Sequence, residues 1–257
     1  MKVFYKLILF VCSIALVHSI NAQQSGLSRG IELYEKGDFE GAISILSKSE
    51  DVKDLHYLGV SYEKTDQISK AKEVYKKSFE TSYEIFFMVF DDWQKIEYSD
   101  SKKLFSDLSQ ELKSNLEFGY ASAERAYKLK SNIFQRNEWR IKAKVLFDAK
   151  NLAKSGEAIY SSADKTLKKL NITEKPGMKF PRDIPSNMRT NLTKTITIFV
   201  VFGADGKIKL LMPTDKTINS LTITSMSSAE KIKFQPAAKD DKAVSVHAQI
   251  SYSFTMF

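Results

Sequence analysis

The feature that most constrains the fold of this chain is an internal repeat near its amino-terminal end. The stretch SRGIELYEKGDFEGAISILSKS is followed, at an offset of 29 residues, by YLGVSYEKTDQISKAKEVYKKS. Small and apolar residues fall at matching positions in the two copies. The matching pairs are Gly30 and Gly59, Leu33 and Tyr62, Gly37 and Asp66, Ala42 and Ala71, and Leu46 and Tyr75. Such spacing predicts pairs of helices that stack on their neighbours.

Within each copy, a small residue lets the paired helix approach, a tight turn reverses the chain, and an alanine packs into the partner helix. These features resemble the tetratricopeptide repeat. That family has a period of about 34 residues and needs about three or more units, so the loop at SEDVKD must be short and later segments must complete the packing. The resemblance implies a helical-repeat domain over residues 23–170 that holds a protein partner.

Three segments after the repeat extend the helical pattern. The apolar stretch Ser82–Phe90 is predicted to be buried in the core, and the alternative is an exposed groove lining. The stretch NLEFGYASAERAYKLKSNIF, which ends with Ile133 and Phe134, predicts a further helix. After it, apolar and small residues from Trp139 to Tyr160 recur at steps of three and four, which predicts one long helix.

The composition changes near Asn171. Pro176, Pro181 and Pro185 stand close together and oppose helix formation, so residues 171–186 are predicted to be a linker. The remainder, 187–257, has a different periodicity. TKTITIFVVF alternates as a strand does, Asp205-Gly206 suits a hairpin turn, and KIKLLMPTDK is the return strand. TINSLTITSMSSAEKI predicts a helix, and AVSVHAQISYSF predicts the last strand.

The last strand alternates strictly between apolar and polar residues, so one face is expected to be buried and the other wet. The apolar face carries Val244, Val246, Ala248, Ile250, Tyr252 and Phe254. The polar face carries Ser245, His247, Gln249, Ser251 and Ser253. As the last element of a small sheet, this strand can be an edge with unpaired backbone groups. The alternative is that the edge is covered by the chain's own helix or linker.

The stretches KPGMKFPRDI, VVFGADGKIK, AEKIKFQPA and AVSVHAQISYSF, in this order, resemble the TonB C-terminal domain family of energy transducers. The resemblance implies a β-β-α-β domain with a three-stranded antiparallel sheet, and therefore an α+β chain of two domains. It also implies that the final strand accepts a partner's peptide, with a peptide of an outer-membrane transporter as one candidate. On this basis the partner-binding residues are Val244, Val246, Ala248, Ile250, Tyr252 and Phe254.

The first 22 residues have the layout of a secretory signal peptide. Lys2 and Lys6 form a basic start, LILFVCSIALV is a short apolar run, and the small residue Ala22 ends the segment. The apolar run is short of the roughly 20 residues that a membrane span needs. We therefore expect an exported protein of the periplasm or cell envelope of a Gram-negative-type bacterium. The alternative is an uncleaved anchor and hence a membrane-anchored energy transducer for outer-membrane transporters.

The residue chemistry favours a binding protein over an enzyme. The net charge is +8, and removing the leader leaves no cysteine, because the single one is Cys12. The histidines that remain, His56 and His247, have no spaced second ligand and no nucleophile partner, so we expect no catalytic, cofactor or metal site. Outside the cytoplasm we expect protein partners and no nucleic acid. The sequence thus predicts a non-catalytic protein-binding module of the cell envelope, associated with transmembrane transport.

Overall fold

A computed structural model of the chain describes residues 29–95, 105–132, 136–181 and 193–255. Within these ranges lie seven helices and seven strands. The helices are α1 (29–35), α2 (Phe39–Leu46), α3 (Val52–Lys64), α4 (Ile68–Lys95), α5 (Gln110–Lys128), α6 (Asn137–Ser155) and α7 (Ser220–Ala229). The strands are β1 (Ile159–Ser161), β2 (Asn171–Glu174), β3 (Thr193–Phe202), β4 (Ile208–Pro213), β5 (Lys233–Gln235), β6 (Ala237–Lys239) and β7 (Lys242–Thr255). The chain is therefore α+β, as predicted.

The chain forms two compact units whose limits fall inside helices. Of the described residues, those up to Thr81 and Ala121–Ser131 form the first unit, and those within Ser82–Tyr120 and from Asn132 onward form the second. The division therefore runs through α4 and α5, whereas the sequence suggests a boundary at the proline-rich segment. The predicted leader, residues 1–22, lies outside the described residues.

The first unit has the internal geometry that the repeat predicts. A Cβ added to Gly30 would lie 2.6 Å from Leu46 Cδ2, and one added to Gly59 would lie 2.4 Å from Tyr75 Cε1. The matching glycines thus mark the same close approach in both copies, because only a residue without a Cβ fits there. The alanines that follow, Ala42 and Ala71, are also fully buried.

The two turns inside the repeats are equivalent as well. Gly37 and Asp66 both adopt positive φ, at 82° and 58°. The residue after each turn donates its N–H to a carbonyl of the preceding helix, that of Leu33 at 2.9 Å and that of Tyr62 at 2.8 Å. This is the left-handed helix termination that satisfies the last carbonyls of a helix.

In the second unit, Ser82–Phe90 forms part of α4 and its aromatic side chains are in the core, as predicted: Tyr83, Phe86 and Phe90 are fully buried.

The prediction of one long helix up to Tyr160 is wrong. Helix α6 ends at Ser155, because Gly156 takes a left-handed conformation with φ 64°. Tyr160 lies in β1. The predicted positions of Ile133 and Phe134 lie outside the described residues.

The main sheet is mixed and has the order β1-β7-β3-β4, with β6 also paired to β7. Strands β3, β4 and β7 pair antiparallel, as the resemblance implied. The expectation of only three strands is wrong, because β1 joins β7 in parallel from Ile159 to Ser161 and β6 joins it antiparallel. The turn between β6 and β7 holds Asp240 and Asp241, both at positive φ.

A second, two-stranded sheet pairs β2 with β5. The predicted linker therefore begins with a strand. Its prolines start only at Pro176, so the backbone donors of Asn171–Glu174 are free to pair. Residues 182–186 of the predicted linker lie outside the described residues.

Helix α7 packs on β3 and β4 and closes the core of this unit. Asn219 caps it by accepting a hydrogen bond from the Thr222 N–H at 3.0 Å. The buried residues of this core come from the main sheet, α7 and the loops: Leu167, Ile196, Ile198, Val200, Phe202, Leu211, Leu221, Met226, Ala229, Ile232, Ala237, Val246, Ile250, Tyr252 and Phe254. Ile172 of β2 and Phe234 of β5 are partly buried against it.

Candidate peptide-binding edge

The side chains of the six predicted partner-binding residues face the protein interior. Val246, Ile250, Tyr252 and Phe254 are buried, and Val244 and Ala248 are partly buried against the same core. The alternate residues after His247 are exposed, namely Gln249, Ser251, Ser253 and Thr255. The predicted division into a buried and a wet face is therefore confirmed over the second half of β7. It fails at Ser245 and His247, which are buried although they are polar.

One edge of β7 is paired with β3 from Val246 to its end, and the other edge is paired only in part. Strand β3 runs along β7 from Val246 to Thr255. On the opposite edge, β1 covers the residues from Ser245 to His247. Strand β6 pairs with the residues from Lys242 to Val244. Beyond His247, no described strand pairs with this edge.

Two hydrogen bonds show which backbone groups face the open edge. The His247 carbonyl accepts from the Ser162 N–H at 3.0 Å, and the Ser251 carbonyl accepts from Lys175 Nζ at 2.8 Å. Both carbonyls therefore point away from β3. Because successive residues of a strand direct their backbone groups to opposite edges, the outward groups belong to the odd-numbered residues 249, 251, 253 and 255. The predicted residues from Val246 to Phe254 pair with β3, whereas Val244 pairs with Ala237 of β6.

A groove of about 410 Å³ runs along this open edge. Its far wall is the segment from Lys175 to Phe180. That segment is held by apolar and weak polar contacts: the ring of Phe180 meets that of Phe254 edge-on at 5.8 Å, and Ser225 Oγ donates to Met178 Sδ at 3.3 Å. The groove is therefore bounded by a segment that has no strand pairing with β7.

The exposed face of the β3–β7 ladder carries hydroxyl groups in register. Thr195 Oγ1 and Ser253 Oγ are 3.2 Å apart, and Thr197 Oγ1 and Ser251 Oγ are also 3.2 Å apart. Cross-strand hydroxyl pairs of this kind stabilise a ladder modestly. They hold the end of β7 in place while its outer backbone faces the groove.

The two histidines lie in packed surroundings. His56 is 8% exposed, and its Nδ1 lies 3.0 Å from Ser122 Oγ, which donates to Ser78 Oγ at 2.9 Å. Burial, with the nearby positive charge of Arg125, lowers the pKa of His56 to about 4. His247 is equally buried and stacks on Phe199, and burial lowers its pKa to about 4.

The described residues contain no group of three or more His, Cys, Asp or Glu side chains that could hold a metal ion. Among the same residues, no helix is both long enough and apolar enough to cross a bilayer. Comparison with known protein families, with characterised proteins and with solved structures finds no match to this chain.

Sequence reasoning missed Lys175, the residue whose side chain reaches the open edge. It named the alternation of β7 whose side chains face the core, whereas the hydrogen bonds to the His247 and Ser251 carbonyls place the other alternation at the open edge. One signal in the sequence indicates the polar alternation of β7. The apolar side chains of the strand are buried in the core, so its polar residues lie beside solvent. In contrast, whether the odd- or the even-numbered residues direct their backbone groups to the open edge depends on which strand pairs with each edge of β7.

Proposed function

We propose that this protein is a non-catalytic binding module of the cell envelope that takes up an extended polypeptide along the open edge of β7. The observation that carries the proposal is that, among the described strands, only β3 pairs with β7 beyond His247. An edge with outward N–H and C=O groups is a template for strand addition, in which main-chain bonds supply affinity.

The open edge is long enough for a short strand. From residue 249 to residue 255 there are six steps of about 3.3 Å, or about 20 Å, which matches the usual strand of about 5–6 residues. Each backbone hydrogen bond contributes about 1 kcal/mol net, while association costs at least about 4 kcal/mol. We therefore expect an affinity in the micromolar range or weaker, with selectivity coming from the groove.

The helical repeats of the first unit support a second interaction surface, in line with the tetratricopeptide resemblance. Helices α1 to α4 reproduce the same glycine contact and the same turn in two successive copies. The proposal has three further parts that rest on the resemblance of 187–257 to the TonB C-terminal domain. They are export to the periplasm or envelope, association with outer-membrane transport, and the absence of catalysis.

The proposal can be tested by selecting random seven-residue peptides, displayed on phage, against the mature chain that starts at Gln23. Selected peptides are then measured against two variants. Ser253→Pro removes an outward N–H, a change that an edge strand tolerates because that donor is not in the ladder with β3. Ser253→Ala is the matched control, since it removes only the hydroxyl. We expect Ser253→Pro to abolish binding and Ser253→Ala to preserve it.

Because proline can also perturb folding, circular dichroism verifies the fold, and Thr255→Pro at the last residue of β7 serves as a second edge variant. Selected peptides that bind all of these variants equally would contradict the proposal. Failure to select any peptide that requires the edge would contradict it as well.

A further inference from the structure

We propose that the strand taken up by β7 is acidic, and that Lys175 selects it by pairing with a carboxylate of the bound strand. This inference rests on the proposed function. It names the class of partner and the residue that recognises it.

Lys175 lies at the middle of the open edge. Its ammonium donates to the Ser251 carbonyl at 2.8 Å and lies 4.8 Å from the centre of the Tyr252 ring. Ser251 is the second of the four residues whose backbone groups face the groove. The carbonyl that an incoming strand needs is thus occupied by a side chain of the chain itself.

An incoming strand replaces this contact by its own backbone N–H. The ammonium then loses its acceptor and must be solvated or paired elsewhere. A lysine side chain is a flexible stem with a compact, strongly hydrated charge, so it can swing by a few ångströms and remain beside the bound strand. A carboxylate on the neighbouring position of that strand restores a charge-assisted hydrogen bond, whereas a neutral side chain does not.

The charge around the groove favours the same class of partner. Of the ten residues that line it, all within the described ranges, Lys175 alone is charged. Lys179 lies in the wall segment and is exposed, and Lys194 is exposed on β3 in register with Phe254 of the lining. The carboxylate just before Lys175, that of Glu174, already pairs with Lys233 at 2.7 Å. Among the described residues the charges beside the edge are therefore mainly positive, which favours an acidic peptide.

The test uses two capped peptides, Thr-Val-Thr-Glu-Thr-Val-Thr and the same sequence with Gln in place of Glu, titrated into the mature chain by calorimetry or fluorescence anisotropy. At low salt we expect the Glu peptide to bind about threefold more tightly, the range of an exposed ion pair. The advantage should disappear in Lys175→Met and at high salt. The matched control Lys207→Met, on the distant β3–β4 hairpin, should keep it.

The outcomes separate the inference from the function on which it rests. If both peptides bind equally well to the unmodified chain, and both are lost in Ser253→Pro, the edge takes up strands but the acidic selectivity is refuted. A Glu preference that survives Lys175→Met would likewise refute the selectivity assigned to this lysine. If neither peptide binds at millimolar concentration, or if Ser253→Pro has no effect on either, strand addition itself is refuted and the inference falls with it.

Discussion

Acidification from pH 7.5 to 5.0 is expected to destabilise the second compact unit through one buried imidazole. His247 is 8% exposed and its ring stacks on that of Phe199, with centroids 5.2 Å apart and planes 19° apart. Burial penalises the charged form and lowers the pKa of His247 from 6.5 to about 4. The folded chain therefore keeps this side chain neutral at pH values where the unfolded chain protonates it.

The sign and size of the effect follow from proton linkage. Because the unfolded state binds more protons between the two pKa values, the stabilisation is fully present above about 6.5 and is lost as the pH falls toward about 4. For these pKa values, the loss at pH 5.0 relative to pH 7.5 is about 2 kcal/mol of unfolding free energy. That is a large fraction of the stability of an ordinary domain.

Urea unfolding followed by tryptophan fluorescence measures this loss directly, since Trp93 and Trp139 both belong to the second unit. The control variant is His247→Gln, which cannot titrate. Burial raises the pKa of Asp148, which acts in the opposite direction as the pH falls, but both chains carry it and its contribution cancels. We expect the unmodified chain to lose about 2 kcal/mol more than His247→Gln. Equal losses in the two chains would refute the reasoning.

Three further predictions concern stability. Gly119→Ala places a Cβ 2.2 Å from Ser82 Cβ, where α4 and α5 meet, and should lower the unfolding free energy by about 1–3 kcal/mol. Asp38→Ala removes the side chain that accepts a hydrogen bond from the Gly41 N–H at 2.9 Å at the start of α2. This change should lower the unfolding free energy by about 1 kcal/mol. Asp241→Gly relieves the strain of a left-handed backbone conformation at φ 58°, and should raise the unfolding free energy by about 0.5 kcal/mol. Thermal or urea unfolding followed by circular dichroism measures all three.

Each of these changes has its own check. Ser82→Gly removes the atom in conflict but also a hydrogen bond to the Asn115 carbonyl, so it costs stability by itself. The double variant should therefore be more stable than the sum of the two single losses predicts, and simple additivity would argue against the clash. Asp38→Asn keeps a capping oxygen and should be nearly neutral. Asp241→Ala keeps the Cβ in the strained conformation, and a gain in stability there as well would show that the backbone is not the cause.

The sequence alone determined the elements whose causes are local. The two repeat copies could be aligned because a glycine, a turn residue and an alanine each need their own spacing, and the structure shows the same contacts for Gly30 and Gly59. The hairpin at Asp205-Gly206 and the alternation of β7 were also predictable. Gly206 adopts φ 77°. After His247, residues of β7 that are buried or partly buried alternate with exposed ones. These features depend on backbone conformation and on a period of two, which neighbouring residues set.

Only the tertiary structure decided which strand edges are covered. Strand β1 has three residues and no alternation to mark it, and it exists because Ile159–Ser161 meets β7 after a long separation along the chain. The same pairing covers one edge of β7 as far as His247. Beyond it no described strand pairs with that edge, and there the Ser251 carbonyl accepts from Lys175 Nζ. Strand pairing and side-chain reach depend on residues far apart in sequence, so no local pattern could have revealed them.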